Sequence, residues 1–189
     1  DFEFTDTNDG NVPTPLSARS AVGLADSQSS AFGFDGLAQG VLLFDWKTSS
    51  EEGADRLWVN LGGEVPQVWD AFISGEREWG RSAILLPEER NNVRWIYAKN
   101  GAETEGEDRG LVDNVEVMTM EKFREELKSA GNIEGFDFEL DSRALFLPTK
   151  LDGLSPPPEG GAPSAIVTPS IGNGQTASMS GWVTGPGRF

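Results

Sequence analysis

Cysteine and histidine are both missing from the 189 residues, and tyrosine occurs once. Without Cys, neither a disulfide nor a thiolate-bound metal can brace the fold, and the redox compartment leaves no trace in the composition. Without His, the sequence lacks the commonest general base, the usual transition-metal ligand and the middle member of a Ser-His-Asp triad. Acid–base work would fall to carboxylates, Lys or Tyr97. Nowhere does an apolar run approach the ~18 residues of a spanning helix, and no charged-then-apolar leader opens the sequence. Positive charge is also scarce: 15 Lys and Arg against 31 Asp and Glu leave a net charge of −16. Such a chain repels phosphate backbones and anionic headgroups, so nucleic acid and membrane insertion are not expected.

What is present reads as β structure. Between residues 41 and 118, short apolar runs (VLLFDWK, RLWVNL, QVWDAFI, SAILLP, NVRWIYA, GLVDNVEV) are separated by turns rich in Gly, Asn or acid. That spacing predicts an antiparallel sandwich, not alternating strands and helices. A period of two places Val93, Trp95 and Tyr97 on one face, and Trp46 with Leu42 and Phe44 on one face. Applied to the last run, it groups Leu111, Asp113, Val115 and Val117, an acid on an otherwise apolar face. The period changes at residues 119–131, where Met120, Phe123 and Leu127 follow helical spacing, Thr119 is a fit N-cap and Gly131 a fit stop.

The end of the chain repeats its beginning. DFEF at 1–4 matches DFEL at 137–140, and SQSSAFGFDGLAQGVL at 27–42 matches GQTASMSGWVTGPGRF at 174–189, keeping Gln28 with Gln175 and Gly40 with Gly187. The second pair is displaced further than the first, as the Pro- and Gly-rich segment 148–164 requires. The expected organisation is a complete β-sandwich repeat over 1–118, a short helix or linker over 119–131, and the N-terminal part of a second repeat over 132–189.

Three segments carry a resemblance: LLFDWKTSSEEGADRLWVNLGG at 42–63, ISGEREWGRSAILLP at 73–87 and VRWIYAKNGAETEGEDRGLVDNVEV at 93–117. Together they resemble a tandem jelly-roll repeat of large bacterial cell-surface or secreted proteins, related in pattern to MAM-like and concanavalin-like sandwiches. In that repeat a serine-glutamate turn follows a Trp strand, a Ser-Gly turn precedes a Trp, and a Lys-(Asp/Asn)-Gly hairpin leads to an Asp-rich last strand. Here these are Ser50 and Glu51 after Trp46, Ser74 and Gly75 before Trp79, and Lys99-Asn100-Gly101 before Asp108 and Asp113. The Gly-Pro-Gly that usually precedes the Trp strand stands at 185–187, whereas the first copy has LAQGVL. The resemblance implies an all-β antiparallel jelly-roll sandwich at the cell surface or outside the cell. Its implied duty is structural, adhesive or glycan-binding, and it implies no particular enzyme; neither enzymatic activity nor a catalytic residue is expected. Its expected partners are copies of itself or adjacent repeats, joined into a fibre by strand completion. The alternative is a carbohydrate-binding module of a secreted enzyme, with glycans as partners.

The acidic connection NGAETEGEDRG poses the remaining question. Asn100 and Gly101 are fit to turn the chain at positive φ, and Glu103, Glu105 and Glu107 read as a solvated tip. Asp108 and Asp113 need a partner if buried. One option is a cation such as Lys99 or Arg109. The other is a metal: first and last strands of jelly rolls often adjoin, so Glu3 and Asp6 would meet Asp108 and Asp113 around Ca²⁺, which takes about 6 to 8 oxygen ligands. Most Trp side chains are expected in the core, with Trp79, after the charged GERE, the candidate for contact with a ligand or neighbouring domain. Ser50, Glu51 and Asp55 read as a capping turn.

Overall fold

The computed structural model describes residues 3–5, 17–62, 71–101, 105–131, 136–139, 147–150, 164–167 and 180–183. In chain order these form β1 (Glu3–Thr5), β2 (Ser17–Arg19), β3 (Ser29–Leu37), β4 (Gly40–Ser49), β5 (Arg56–Leu61), β6 (Phe72–Ile73), β7 (Arg77–Leu86), β8 (Asn91–Ala98) and β9 (Arg109–Met118). They continue as α1 (Met120–Gly131), β10 (Phe136–Glu139), β11 (Leu147–Lys150), β12 (Ser164–Val167) and β13 (Ser180–Val183). The first nine strands make an all-β antiparallel sandwich: a five-stranded sheet ordered β1-β2-β9-β4-β7 packs on a four-stranded sheet ordered β3-β8-β5-β6.

Alternation builds the core. Leu42, Phe44 and Trp46 point inward from β4, and Val93, Trp95 and Tyr97 from β8, each of them fully buried. The Phe44 ring meets Trp95 edge-on at 5.3 Å and Trp46 at 5.2 Å, while Phe32 of β3 stacks on Trp95 at 5.1 Å. Offset and edge-on pairs of this kind add about 0.5–1.5 kcal/mol each beyond area burial. Of the expected run QVWDAFI, only Phe72 and Ile73 are described as strand; Trp69 lies outside the described residues.

The opposite face of the five-stranded sheet is apolar at one end, with Val41, Leu43, Ala83 and Met118 exposed to a second cluster. There α1 lays Phe123 and Leu127 against them, and Ile166 of β12 packs on the same cluster. Thr119 caps the helix as its position predicts: its Oγ1 accepts the Lys122 N–H at 3.2 Å. Gly131 ends it.

The strict alternation expected along β9 fails at one place. The β4–β9 register shifts between Leu43 and Asp45, and Asn114 adopts φ 49° there, a β-bulge. One extra residue lets both Val112 and Val115 face the inner core, so Asp113 stands on the other face from Val115. The expectation that Asp113 interrupts the apolar inner face is therefore corrected; its neighbour across the register is Asp45.

Within 136–183, β10 pairs with β13 and β11 pairs with β12, both antiparallel. The ends of the Pro- and Gly-rich segment thus pair as strands, with Pro148 opposite Ile166, where irregular structure was expected. A two-stranded ribbon has edges on both sides, and an edge position tolerates a residue without an N–H.

Candidate functional site

Three connections meet at one end of the sandwich, and Ser and Gly residues lock them together. Gly75 N–H donates to Ser50 Oγ at 3.1 Å, Gly53 N–H to Ser74 Oγ at 3.0 Å, and Thr48 Oγ1 to the Gly75 carbonyl at 2.9 Å. The serine-glutamate and Ser-Gly turns singled out in the sequence therefore cap each other. The β8–β9 connection joins them: Glu107 N–H donates to Ser49 Oγ at 2.8 Å, and Ser49 Oγ donates to Glu76 Oε1 at 2.7 Å. Only glycine fits at 106, where φ is 70° and a Cβ would lie 2.9 Å from Ser50 N. The positive φ expected at Asn100-Gly101 occurs instead at Gly106 and Asp108.

Under these turns lies a charged cluster. The Lys99 side chain is 4% exposed, and its Nζ donates to Asp108 Oδ2 at 2.5 Å. Asp108 is held at φ 49°, a conformation uncommon for a residue with a side chain. Asp55, fully buried, accepts the Asn100 N–H on Oδ1 at 2.8 Å. Its Oδ2 and Asp108 Oδ1 are buried without an N–H or hydroxyl donor. The Asp55 and Asp108 carboxyls nevertheless come within hydrogen-bonding reach of each other. Burial foremost raises the Asp55 pKa; the Asn100 N–H and the Lys99 charge oppose it, and the Asp108 charge and hydrogen bond add to it. Lys99 is raised, first by its hydrogen bond to Asp108 and against its own burial. Tyr97 is raised by burial and then by the Asp55 and Asp108 charges. The cluster thus sets one amine against the Asp108 carboxyl, which in turn reaches the carboxyl of Asp55.

The residues expected around Ca²⁺ are distributed as follows. Asp108 faces Lys99, one of the two cations named for it. Asp113 lies five residues further along β9, about 16 Å away at ~3.3 Å per residue, and accepts the Asn114 N–H on its own Oδ1 at 2.7 Å. Glu3 sits on β1, and β2 stands between β1 and β9, so the direct pairing of first and last strands is replaced by β2. Asp6 lies outside the described residues, as does Glu103; Glu105 and Glu107 are exposed. Among the described residues no three acidic groups are placed to hold a metal ion together. Trp79 is in β7, not in a turn, and is half-buried where Glu78 and Trp79 bulge opposite Lys47. Sequence reasoning named Lys99 and Asp108 but took Asp55 for a capping residue. Its one sign was an acid placed directly before the apolar strand RLWVNL.

No protein-family model matches the chain, and no curated protein matches it. Among solved structures it is similar to the secreted serine protease VesC from Vibrio cholerae, with 21% identity over 55% of this chain and a TM-score of 0.46. The match covers 21% of the protease, so this chain spans about a fifth of that protein's length. This similarity to a protease stands against the expectation that the chain is no enzyme, and that expectation is withdrawn. At this similarity no activity, substrate or residue role passes to this chain.

Proposed function

We propose that this sandwich is a structural or adhesive module of an extracellular or cell-surface protein, joined to copies of itself or to adjacent repeats by strand completion. The observation that carries the reading is β7: ten residues long, it stands at the end of the five-stranded sheet and pairs, among the strands of the described residues, with β4 alone. Its apolar half, Ala83–Leu86, belongs to both hydrophobic clusters, so its side chains are fixed at the edge of the sheet. A long regular edge of this kind is a template for another strand. The four-stranded sheet offers a second, β3, nine residues long and, among the strands of the described residues, paired with β8 alone. Cysteine-free, acidic composition and the repeated sequence at the two ends of the chain fit the same role.

Sedimentation of the chain across a range of concentrations, with hydrogen exchange in parallel, tests the reading. Association is expected, with amides of residues 77–86 gaining protection as concentration rises. A folded chain that stays monomeric throughout, or one whose association leaves 77–86 unprotected, rejects strand completion at β7.

A further inference from the structure

We infer that Lys99 and Asp108 condense into an intramolecular amide, with Asp55 as the acid that activates the Asp108 carboxyl. The placement meets each requirement of that reaction. Amine and carboxyl are already in contact, Lys99 Nζ to Asp108 Oδ2 at 2.5 Å, and both ends are fixed. Lys99 follows directly on β8, Asp108 directly precedes β9, and Asp108 is pinned at positive φ. Held groups of this kind react with effective molarities on the order of 10⁵ M or more. The second Asp108 oxygen, Oδ1, has no N–H or hydroxyl donor and faces the one buried acid whose Oδ2 is equally unpartnered. Ser50, Gly75 and Gly106 close the turns over the cluster.

The resting state is the ion pair, which keeps Lys99 protonated. Removal from water favours neutral forms, so transfer of one proton from Nζ to Asp108 within the pair gives the reactive amine and carboxylic acid. The Nζ lone pair then adds to Asp108 Cγ, and the carbonyl electrons move to Oδ1, which takes the proton of Asp55. The Asp55 carboxylate removes a proton from the new ammonium. It returns that proton to the departing hydroxyl as the Cγ–Oδ2 bond breaks and recovers its own from Oδ1. One water leaves, one amide bond forms, Asp55 ends as it began, and no oxidant or cofactor is consumed. The product ties the end of β8 to the start of β9 in a chain that has no disulfide.

Mass spectrometry of the folded chain reads the outcome directly. The expected intact mass is lower than the sequence mass by one water. Trypsin is expected to leave residues 95–109 as one peptide, also lighter by one water, because the acylated Lys99 is no longer a cleavage site. Asp55→Asn, which keeps a hydrogen-bond donor but loses the transferable proton, and Lys99→Arg are both expected to return the full sequence mass. Asp108→Asn is expected to shift the loss from water to ammonia. A wild-type chain of full mass that trypsin cuts after Lys99 overturns the inference, as does a water loss mapped to any other segment. An Asp55→Asn chain that links as fully as wild type overturns the role of Asp55.

Discussion

Two charged clusters sit at either end of the same stretch of chain, Asp108 to Glu116, and each sets one cation among acids. At the loop end, Lys99 stands with Asp108 and Asp55; at the bulge, Arg81 stands with Asp45 and Glu116 at 3.2 and 3.9 Å. Each is organised by a residue at positive φ, Asp108 in the first and Asn114 in the second, whose Nδ2 also donates to Asp45 Oδ2 at 2.8 Å. They differ in solvent. The Arg81 side chain is 37% exposed, whereas that of Lys99 is 4% exposed. Water and the many donors of a guanidinium absorb the surplus negative charge at the bulge. Where the ammonium is closed off, burial raises the pKa of Asp55 instead. The same balance of one cation and two acids thus gives a solvated ion network in one place and a closed-off one in the other.

The contrast breaks most visibly when the closed-off cation is removed. In the Asp55→Asn background, where Lys99 and Asp108 stay an unlinked ion pair, adding Lys99→Met leaves Asp108 without a counter-charge, and a loss of about 3 kcal/mol is expected in urea unfolding. Adding Asp108→Leu to that variant is expected to restore much of the loss, because no uncompensated charge remains. A Lys99→Met variant as stable as its Asp55→Asn parent would place the ammonium in water and erase the distinction between the clusters.

The glycine that closes the turns over the site ranks next. Gly106→Ala forces a side chain into φ 70° with its Cβ 2.9 Å from Ser50 N, so a cost of about 1–3 kcal/mol is expected in the same assay. Crowding of Glu76 Oε1 adds little, since that side chain can swing away.

Protonation provides a graded test. The Asp55 pKa is raised from 3.8, so the folded state holds this proton more tightly than the unfolded chain. Its contribution to stability is complete below pH 3.8 and is lost as pH rises through the folded value. Asp55→Asn keeps the neutral hydrogen bonds at every pH. Compared in the Lys99→Arg background, where neither chain links, the chain with Asp55 is therefore expected to lose stability relative to the one with Asp55→Asn as pH rises above 3.8, and the gap to level off beyond the folded value. Parallel stability curves for the two proteins from pH 4 to 7 would mean that Asp55 is not held neutral.

How much of this could be read from the sequence depends on which physics set each feature. Strand faces such as Val93-Trp95-Tyr97, and the Thr119 cap with its helix, follow from local periodicity and capping and were legible. The Ser50 and Ser74 turns were visible as motifs, but their mutual capping was not, because the two turns are brought together only by sheet pairing. Asp113 was misplaced because a single bulge reverses every side chain beyond it, and no residue type announces where a bulge falls. Asp55 escaped notice for a related reason: a carboxyl becomes unusual only through what surrounds it, here Tyr97, Asp108 and Asn100 from another hairpin.

The smallest effect belongs to the open cluster, and it sharpens the comparison by being small. Arg81→Met removes a partner from Asp45, but Asn114 still donates to Asp45 Oδ2, and the exposed edge strand lets water reach the space vacated. An expected loss of about 0.5–1 kcal/mol follows for a pair of this exposure, and salt should shrink it further, since the Debye length falls to ~3 Å at 1 M. Lys99→Met in the Asp55→Asn background, acting behind closed turns, should lose the same stability with or without salt. A double titration of both variants against ionic strength therefore separates the clusters by screening alone: one line sloping, one flat. Two flat lines would mean that Arg81 is as closed off as Lys99, and two sloping lines that neither is.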